Sequence, residues 1–155
     1  MRFLTLSLLA AAFGCTNLYA QTVAYVANSA SNSVSVIDTA SNTVTATIAV
    51  GNVPEGVVFS ADNAHAYVTN FNDGTLSVID TASNTVVNTV ALAPPGNPSQ
   101  PVIPAITPDG KSLYIPDLAR SLVIVVDTTT KVTGKVLTPD DQKRLADETS
   151  RQLAA

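Results

Sequence analysis

Residues 66–86 spell AYVTNFNDGTLSVIDTASNTV, and residues 24–44 spell a closely related AYVANSASNSVSVIDTASNTV. The segment SVIDTASNTV is identical in the two copies, which lie 42 residues apart. A more divergent third copy includes LYIPD at residues 113–117 and VVDT at residues 125–128, 47 residues beyond the second copy. Similarity at a nearly constant period of this length indicates a repeat architecture.

Each copy predicts short strands rich in Val, Ile, Thr and Tyr, separated by Asn, Asp and Gly at the turns. In the second copy the predicted strands are residues 56–60, 65–70, 75–80 and 85–92. Four strands in about 42 residues is the period of a propeller blade. The first copy lacks the inner strand equivalent to residues 56–60, so the three copies together predict about eleven strands.

The predicted fold class is therefore all-β: a partial β-propeller of about three four-stranded antiparallel blades with a C-terminal helix. The blades are assigned to residues 21–51, 52–93 and 94–137. The third repeat is longer because of added residues around the sequence PPGNP, which predict an extended loop. Pro116 in this repeat has no backbone N–H, so we expect it where no ladder hydrogen bond is needed.

The pattern changes after the third copy, and residues 138–155 are predicted to form a helical tail. Thr138 suits a helix N-cap, Pro139 suits the first helical position, and Asp140 favours the positive end of the helix dipole. The apolar stripe of this segment is narrow, so we expect a solvated or loosely docked helix.

The tetrapeptide Tyr67-Val68-Thr69-Asn70 resembles the signature of the YVTN-repeat family. The sequences VIDT at residues 78–81 and TPDG at residues 107–110 are also similar to that family, and the resemblance covers about residues 22–136. It implies a β-propeller of the surface-layer or periplasmic type, related to seven-bladed lactonase-like propellers. The third copy departs from the tetrapeptide with Ile115-Pro116-Asp117.

Charge is unevenly distributed along the chain, whose formal net charge is −4. No Lys or Arg occurs from Gln21 to Gly110, whereas several acidic residues do. Binding to nucleic acid depends on cations placed against phosphates, so this composition excludes nucleic acid as a partner of that region. An anionic membrane surface is disfavoured for the same reason.

Residues 1–20 are predicted to be a secretory signal peptide, with Arg2 before an apolar segment and cleavage before Gln21. We therefore expect a periplasmic, cell-surface or extracellular protein with no transmembrane segment in the mature chain. A buried N-terminal helix is the alternative. Cys15 is the single cysteine, so no internal disulfide can form. The sequence AFGC before and at Cys15 resembles a lipobox, which makes a lipid anchor the alternative to ordinary cleavage.

Few residues in the sequence are candidates for a catalytic or metal-binding site. Glu55 is an acid that the repeat does not reproduce, next to an inner strand, and it is the candidate functional or catalytic carboxylate; a solvated loop acid is the alternative. The loop with Asn70, Asn72 and Asp73 offers three oxygen donors for calcium, although turn capping explains the same residues. His65 is the single histidine and has no partner pattern for catalysis or for metal binding.

Two residue types recur at equivalent positions in every copy, and we assign both to the structure rather than to a site. The aspartates are expected to cap turns, because one active site needs one copy rather than three. The tyrosines are expected to pack between blades. The recurring residues are Tyr25, Tyr67 and Tyr114, and Asp38, Asp80 and Asp127.

The sequence thus predicts an exported, non-catalytic binding or scaffold module without a cofactor. The expected partner is a protein or a cell-envelope component, or a second copy bound through exposed blade faces; a fragment of a larger propeller would share these features. The alternative function is a lactonase-like hydrolase. A role as an accessory domain of a redox system would be indirect, because no haem-attachment or copper-ligand pattern is present.

Overall fold

The computed structural model describes residues 22–129 and the backbone of one further strand, residues 132–137. This part of the chain contains eleven strands in three antiparallel sheets, which we call blades A, B and C. Blade A contains β1 (Val23–Asn28), β2 (Ser33–Asp38) and β3 (Thr43–Ala49). Blade B contains β4 (Pro54–Phe59), β5 (His65–Asn70), β6 (Thr75–Asp80) and β7 (Thr85–Ala91). Blade C contains β8 (Ala105–Ile106), β9 (Ser112–Asp117), β10 (Leu122–Asp127) and β11 (Val132–Leu137).

The strands follow one another in simple meanders, as the spacing of turn residues predicts. Each strand pairs with its neighbour in sequence, in the order β4-β5-β6-β7 for blade B. The inner strand β4 begins two residues earlier than predicted, because Pro54 pairs with Asn70. Blade A has three strands among the described residues, as predicted for the first copy.

Asparagine supports the tight turns, because its short polar side chain tolerates the left-handed backbone region. Asn42 and Asn84 occupy equivalent turns in blades A and B with φ of 54° and 55°. Asn63 has a φ of 58° in the turn between β4 and β5. The identical segment SVIDTASNTV therefore produces the same hairpin in both blades.

Two hydrophobic clusters lie between the blades and hold them together. The cluster between blades A and B is made of Val34, Val36, Ile48, Ala66, Val68 and Ile79. The cluster between blades B and C is made of Tyr67, Leu76, Val78, Leu92, Leu113, Ile115, Ile124 and Val126. Alternate residues of β5 and β6 belong to opposite clusters, since successive side chains of a strand point to opposite faces. Blade B is therefore buried on both faces.

Pro116 lies where its missing N–H costs no hydrogen bond to β10. The Pro116 carbonyl accepts a hydrogen bond from the Val102 N–H at 3.0 Å, and Val102 lies in the connecting segment that precedes β8. The N–H and carbonyl of one residue in an antiparallel strand face the same neighbour. The proline therefore turns its nitrogen toward the connecting segment and not toward the paired strand.

The predicted signal peptide, Cys15 and the helical tail over residues 138–155 lie outside the described residues and stay predictions. Within residues 22–129 and 132–137, no helix is long and apolar enough to cross a membrane.

Candidate functional site

The segment that joins blade A to blade B, residues 50–53, is held by hydrogen bonds among asparagine and aspartate residues. The Asn52 backbone N–H donates to Asp73 Oδ2 at 2.7 Å, and Asn52 Nδ2 donates to Asp73 Oδ1 at 2.7 Å. Asn32 Nδ2 donates to Asn52 Oδ1 at 2.9 Å. These bonds connect turns of both blades, so the segment is held from both sides.

Val53 lies at the centre of this segment in a strained conformation. Its φ is 52°, a value that a β-branched residue rarely adopts. The conformation is maintained because the Val53 N–H donates to Asn32 Oδ1 at 3.0 Å and its carbonyl accepts from the Phe71 N–H at 2.9 Å. Such strain costs of order 1–3 kcal/mol and is concentrated at functional sites.

Glu55 lies two residues after Val53 and occupies a β-bulge at the start of the inner strand β4. The register between β4 and β5 pairs Pro54 with Asn70 and Gly56 with Thr69, so Glu55 has no partner position across the strands. Bulges re-aim side chains, and that of Glu55 is exposed to solvent. Ser29 Oγ donates to the Pro54 carbonyl at 2.7 Å, which fixes the backbone immediately before the bulge.

The third copy shows that this acid belongs to one blade only. Pro101 pairs with Asp117 as Pro54 pairs with Asn70, which makes Val102 the equivalent of Glu55. The backbone position is thus repeated and the carboxylate is not. The structure places Glu55 on a rigid, solvent-facing support at the edge of the inner strands.

Asn70 and Asp73, two of the three proposed calcium donors, are already engaged in hydrogen bonds. Asn70 is fully buried, and its Nδ2 donates to Thr75 Oγ1 and Ser77 Oγ, each at 2.9 Å. Asp73 accepts both bonds from Asn52 described above. Asn72, the third proposed donor, is exposed.

The Gly51 backbone packs directly against the Asn70 and Asp73 side chains. A Cβ at position 51 would come within 2.6 Å of Asn70 Cγ and 2.7 Å of Asp73 Oδ2. Asn70 Oδ1 is buried there without a hydrogen-bond partner among the described residues. No group of three or more His, Cys, Asp or Glu side chains in this part of the chain could hold a metal ion. The observed bonds correspond to loop closure between blades A and B.

The recurring aspartates accept hydrogen bonds from their own turns. Asp38 Oδ1 accepts from the Ala40 N–H at 2.7 Å, and Asp127 Oδ1 accepts from the Thr129 N–H at 2.8 Å. Asp80 Oδ1 accepts from both the N–H and the hydroxyl of Ser83 at 2.8 and 2.7 Å. The bonds from Ser83 lower the pKa of Asp80 below its ordinary value.

Two of the three recurring tyrosines, Tyr25 and Tyr67, lie at the interfaces between blades. Tyr25 packs edge-on against Phe59 of blade B with ring centroids 5.0 Å apart, and its hydroxyl donates to Asn84 Oδ1. Burial, with the charge of Asp80, raises the pKa of Tyr25. Tyr67 is buried between blades B and C, whereas Tyr114 in blade C is 38% exposed.

A groove of about 790 Å³ between blades A and B is lined partly by Tyr25 and Phe59.

His65 lies at the start of β5, opposite Asp80 in the register. It is half-buried, and its backbone N–H donates to Ser60 Oγ at 2.9 Å.

The sequence reasoning missed a buried ion pair between Asp117 and Arg120. Arg120 Nη2 lies 2.8 Å from Asp117 Oδ2, and the Asp117 side chain is fully buried. Asp117 also accepts from Ser99 Oγ at 2.7 Å and from the Gln100 N–H at 3.0 Å, while Arg120 Nη2 donates to the Leu92 carbonyl at 2.9 Å. The pair therefore connects blade C to Leu92, which directly follows β7 of blade B, and to Ser99 and Gln100 in the long loop between blades B and C.

Burial alone would raise the pKa of Asp117. The hydrogen bonds from Gln100, Ser99 and Arg120, with the charge of Arg120, outweigh burial and hold that pKa below its ordinary value. The one signal in the sequence was an aspartate at the position where the other two copies have Asn28 and Asn70, with a cation three residues later.

No protein-family model and no curated protein matches this chain. Solved structures do match it. Kuenenia stuttgartiensis hydrazine synthase superposes with a TM-score of 0.67 and 24% identity, over 74% of this chain and 32% of that chain. Dihydro-heme d1 dehydrogenase NirN, solved in complex with DHE, superposes with a TM-score of 0.62 and 18% identity, over 75% of this chain and 24% of that chain.

The described residues form part of a β-propeller. At these identities the likeness concerns the fold. The predicted all-β fold of three antiparallel blades is thereby confirmed. The chain spans less than a third of the length of each of the two matched structures. Glu55 and the strained segment before it lie at the inner strand of blade B.

Proposed function

We propose that this chain is an exported propeller module of the YVTN-repeat type that binds a protein or a cell-envelope component without catalysing a reaction. The resemblance of residues 67–70 to the family signature and the propeller fold of the described residues support this. The observation that carries the proposal is the presentation of Glu55 on a bulge held by hydrogen bonds on both sides. Binding groups held on the strands of a scaffold are positioned more precisely than groups on loops.

The target of this surface is cationic. Acids in the turns at the opposite end of the inner strands are used within those turns: Asp62 accepts from Ser60 Oγ at 2.6 Å, and Asp109 accepts from Thr107 Oγ1 at 2.6 Å. Asp73 is occupied by Asn52, as described above. Glu55 instead faces solvent in a region without Lys or Arg from Gln21 to Gly110. The field of such a surface attracts a Lys- or Arg-bearing segment and repels an anionic one.

The test measures binding of a lysine-bearing peptide and a neutral peptide of equal length to the mature chain, by fluorescence anisotropy at low salt. Glu55→Gln is expected to weaken binding of the lysine peptide roughly 1.4- to 5-fold, the range for one exposed ion pair. Asp62→Asn is the matched control, because it removes the same charge from an exposed turn of the same blade. Equal affinity of the two peptides, or equal loss in both variants, would refute recognition at Glu55.

Export to the periplasm or the cell surface rests on the predicted signal peptide. Mass spectrometry of the mature N-terminus tests it: a chain that begins at Gln21 supports ordinary cleavage. A lipid-modified N-terminal Cys15 would replace that part of the proposal with a membrane-anchored protein. An uncleaved chain in the exporting cell would contradict export.

A lactonase-like hydrolase is the second candidate, and the strain at Val53 next to Glu55 favours it. Lactonase-like propellers, to which the family resemblance points, use several acidic or metal-binding side chains. A panel of small lactones, assayed with added divalent cations and with a chelator, distinguishes the two functions. Turnover that the chelator and Glu55→Gln both abolish would replace the binding function by the enzymatic one.

A further inference from the structure

None of the described residues covers the face of blade A that points away from blade B, whereas the equivalent faces of blades B and C pack against the preceding blade. This A face is formed by Ala24, Val26, Ile37 and Val44. Val26 is 43% exposed, whereas its equivalents Val68 and Ile115 are fully buried against the preceding blade. Val44 is 59% exposed. Since Ala24, Val26 and Ile37 have only apolar equivalents in the other two copies, the A face has the composition of a surface that a neighbouring blade covers.

The opposite end of the stack shows the complementary feature. The C face is formed by Tyr114, Val123 and Val125 of blade C, on the side away from blade B. Tyr114 is 38% exposed, whereas its equivalent Tyr67 is 4% exposed. Val123 and Val125 are half-buried, and their equivalents Leu76 and Val78 are each 1% exposed because a following blade covers them.

The two faces are the halves of an interface that the chain already forms twice. In the interface between blades B and C, Tyr67 and Val78 of one blade cluster with Leu113 and Ile115 of the next. The C face repeats the first pair as Tyr114 and Val125. The A face repeats the second pair as Ala24 and Val26, so the chain itself carries the matching surface.

We propose that the C face of one copy packs against the A face of a second copy, and that two copies close head to tail into one ring. The contact is heterologous, and such contacts form a closed ring when the rotation per subunit is right. The described residues of each copy form three blades, so two copies give about six, within the four to eight blades typical of propellers. One copy falls below that range and three copies exceed it.

The interface is separate from the Glu55 surface, because Glu55 lies on the inner strand of blade B and not on either terminal blade. The binding experiment with Glu55→Gln and the assembly experiment below are therefore interpreted independently.

The first test is the mass of the full mature chain in solution by light scattering coupled to size exclusion. We expect roughly twice the mass of one chain. Val26→Lys places a cation on the A face and is expected to give a folded monomer. Val87→Lys is the matched control, because Val87 is 51% exposed on the outer strand of blade B, away from both faces. This control is expected to remain a dimer.

The second test uses mixing to show that the contact is head to tail. Tyr114→Glu on the C face is expected to give a monomer, like Val26→Lys on the A face. Mixing the two variants is expected to restore a dimer, since one of its interfaces is native and the other pairs the new lysine with the new glutamate. Circular dichroism checks that each variant is folded, and either variant alone still tests the proposal if the other does not fold.

Several results would overturn the proposal. A monomeric wild-type chain would mean that the two faces do not associate, and assemblies larger than two copies would exclude the closed ring. A dimer that survives both face variants would place the contact elsewhere. A mixture that stays monomeric would contradict the head-to-tail arrangement.

Discussion

Asp117 offers the sharpest test of how the blades are held together. Its buried carboxylate accepts hydrogen bonds from Ser99, Gln100 and Arg120 and neutralises the Arg120 guanidinium, which is 18% exposed. Asp117→Ala removes all of these partners and leaves a poorly solvated cation beside the Leu92 carbonyl. Breaking a buried pair from one side costs about 3–5 kcal/mol, and the residual exposure of Arg120 places the expected loss near the lower value.

Asp117→Asn separates charge from geometry, because the other two copies carry an asparagine at this position. The amide oxygen can still accept from the Gln100 N–H, so the loop stays anchored. The charge that pairs with Arg120 is lost, and a hydrogen bond to a charged group is worth about 1.5–3 kcal/mol. We therefore expect Asp117→Asn to lie between the wild-type chain and Asp117→Ala in free energy of unfolding.

The assay is urea denaturation of the mature chain, followed by far-ultraviolet circular dichroism. Asp127→Ala is the control on the same blade, because it removes an exposed carboxylate that caps a turn. By analogy with helix N-caps, we expect it to cost about 0.5–2 kcal/mol. The reasoning is refuted if Asp117→Ala costs no more than Asp127→Ala, or if Asp117→Asn is as stable as the wild-type chain.

Asp117→Asn is also expected to change how the free energy of unfolding depends on pH. The folded pKa of Asp117 is lowered, so the stability it contributes is fully present above its unfolded pKa of about 3.9. That contribution is lost as the pH falls through the folded pKa. In Asp117→Asn this component is absent, and the free energy of unfolding should decline less steeply below about pH 4 than in the wild-type chain. Identical acid profiles would show that Asp117 is not the source of that decline.

Three further changes test the blade contacts and the loop between blades A and B. Leu76→Ala leaves a cavity between blades B and C and should cost about 2–5 kcal/mol in urea denaturation; a loss below about 1 kcal/mol would contradict close packing there. Gly51→Ala forces a methyl group against Asn70 and Asp73 and should destabilise the chain by about 1–3 kcal/mol; an unchanged midpoint would show that the loop can shift freely. Asp80→Ala removes both bonds from Ser83 and should lower the Tm, and an unchanged melting curve would reject a turn-capping role.

The meanders were predictable because their causes are local. Alternating apolar residues, Asp and Asn at the turns and the repeat of the tyrosine determine where strands begin and reverse, and none of these depends on a distant residue. The turn that contains Asp80 and Asn84 has the same conformation as the equivalent turn that contains Asp38 and Asn42, because the two sequences are identical. The start of β4 was misplaced by two residues because the bulge at Glu55 lets Pro54 rejoin the ladder, a feature that strand periodicity does not encode.

The candidate site was predictable only in part. Glu55 stood out as an unrepeated acid, but its rigid support comes from Asn32 and Asp73, which are far from it in sequence and meet only when blades A and B stack. The strain at Val53 is a product of the same stacking. Sequence patterns alone carry no information about such long-range hydrogen bonds.

The sequence by itself determined that three similar antiparallel units follow one another, because each unit is specified by its own turns and its own apolar alternation. Only the tertiary structure decided which copy of an equivalent residue is buried. Tyr67 is buried because blade C packs against it, whereas no blade among the described residues packs against Tyr114. The tertiary structure also decided that Asp117 pairs with Arg120 and closes on Leu92. The physical reason is that burial and ion pairing depend on the neighbouring blade, whereas a hairpin depends on its own chain.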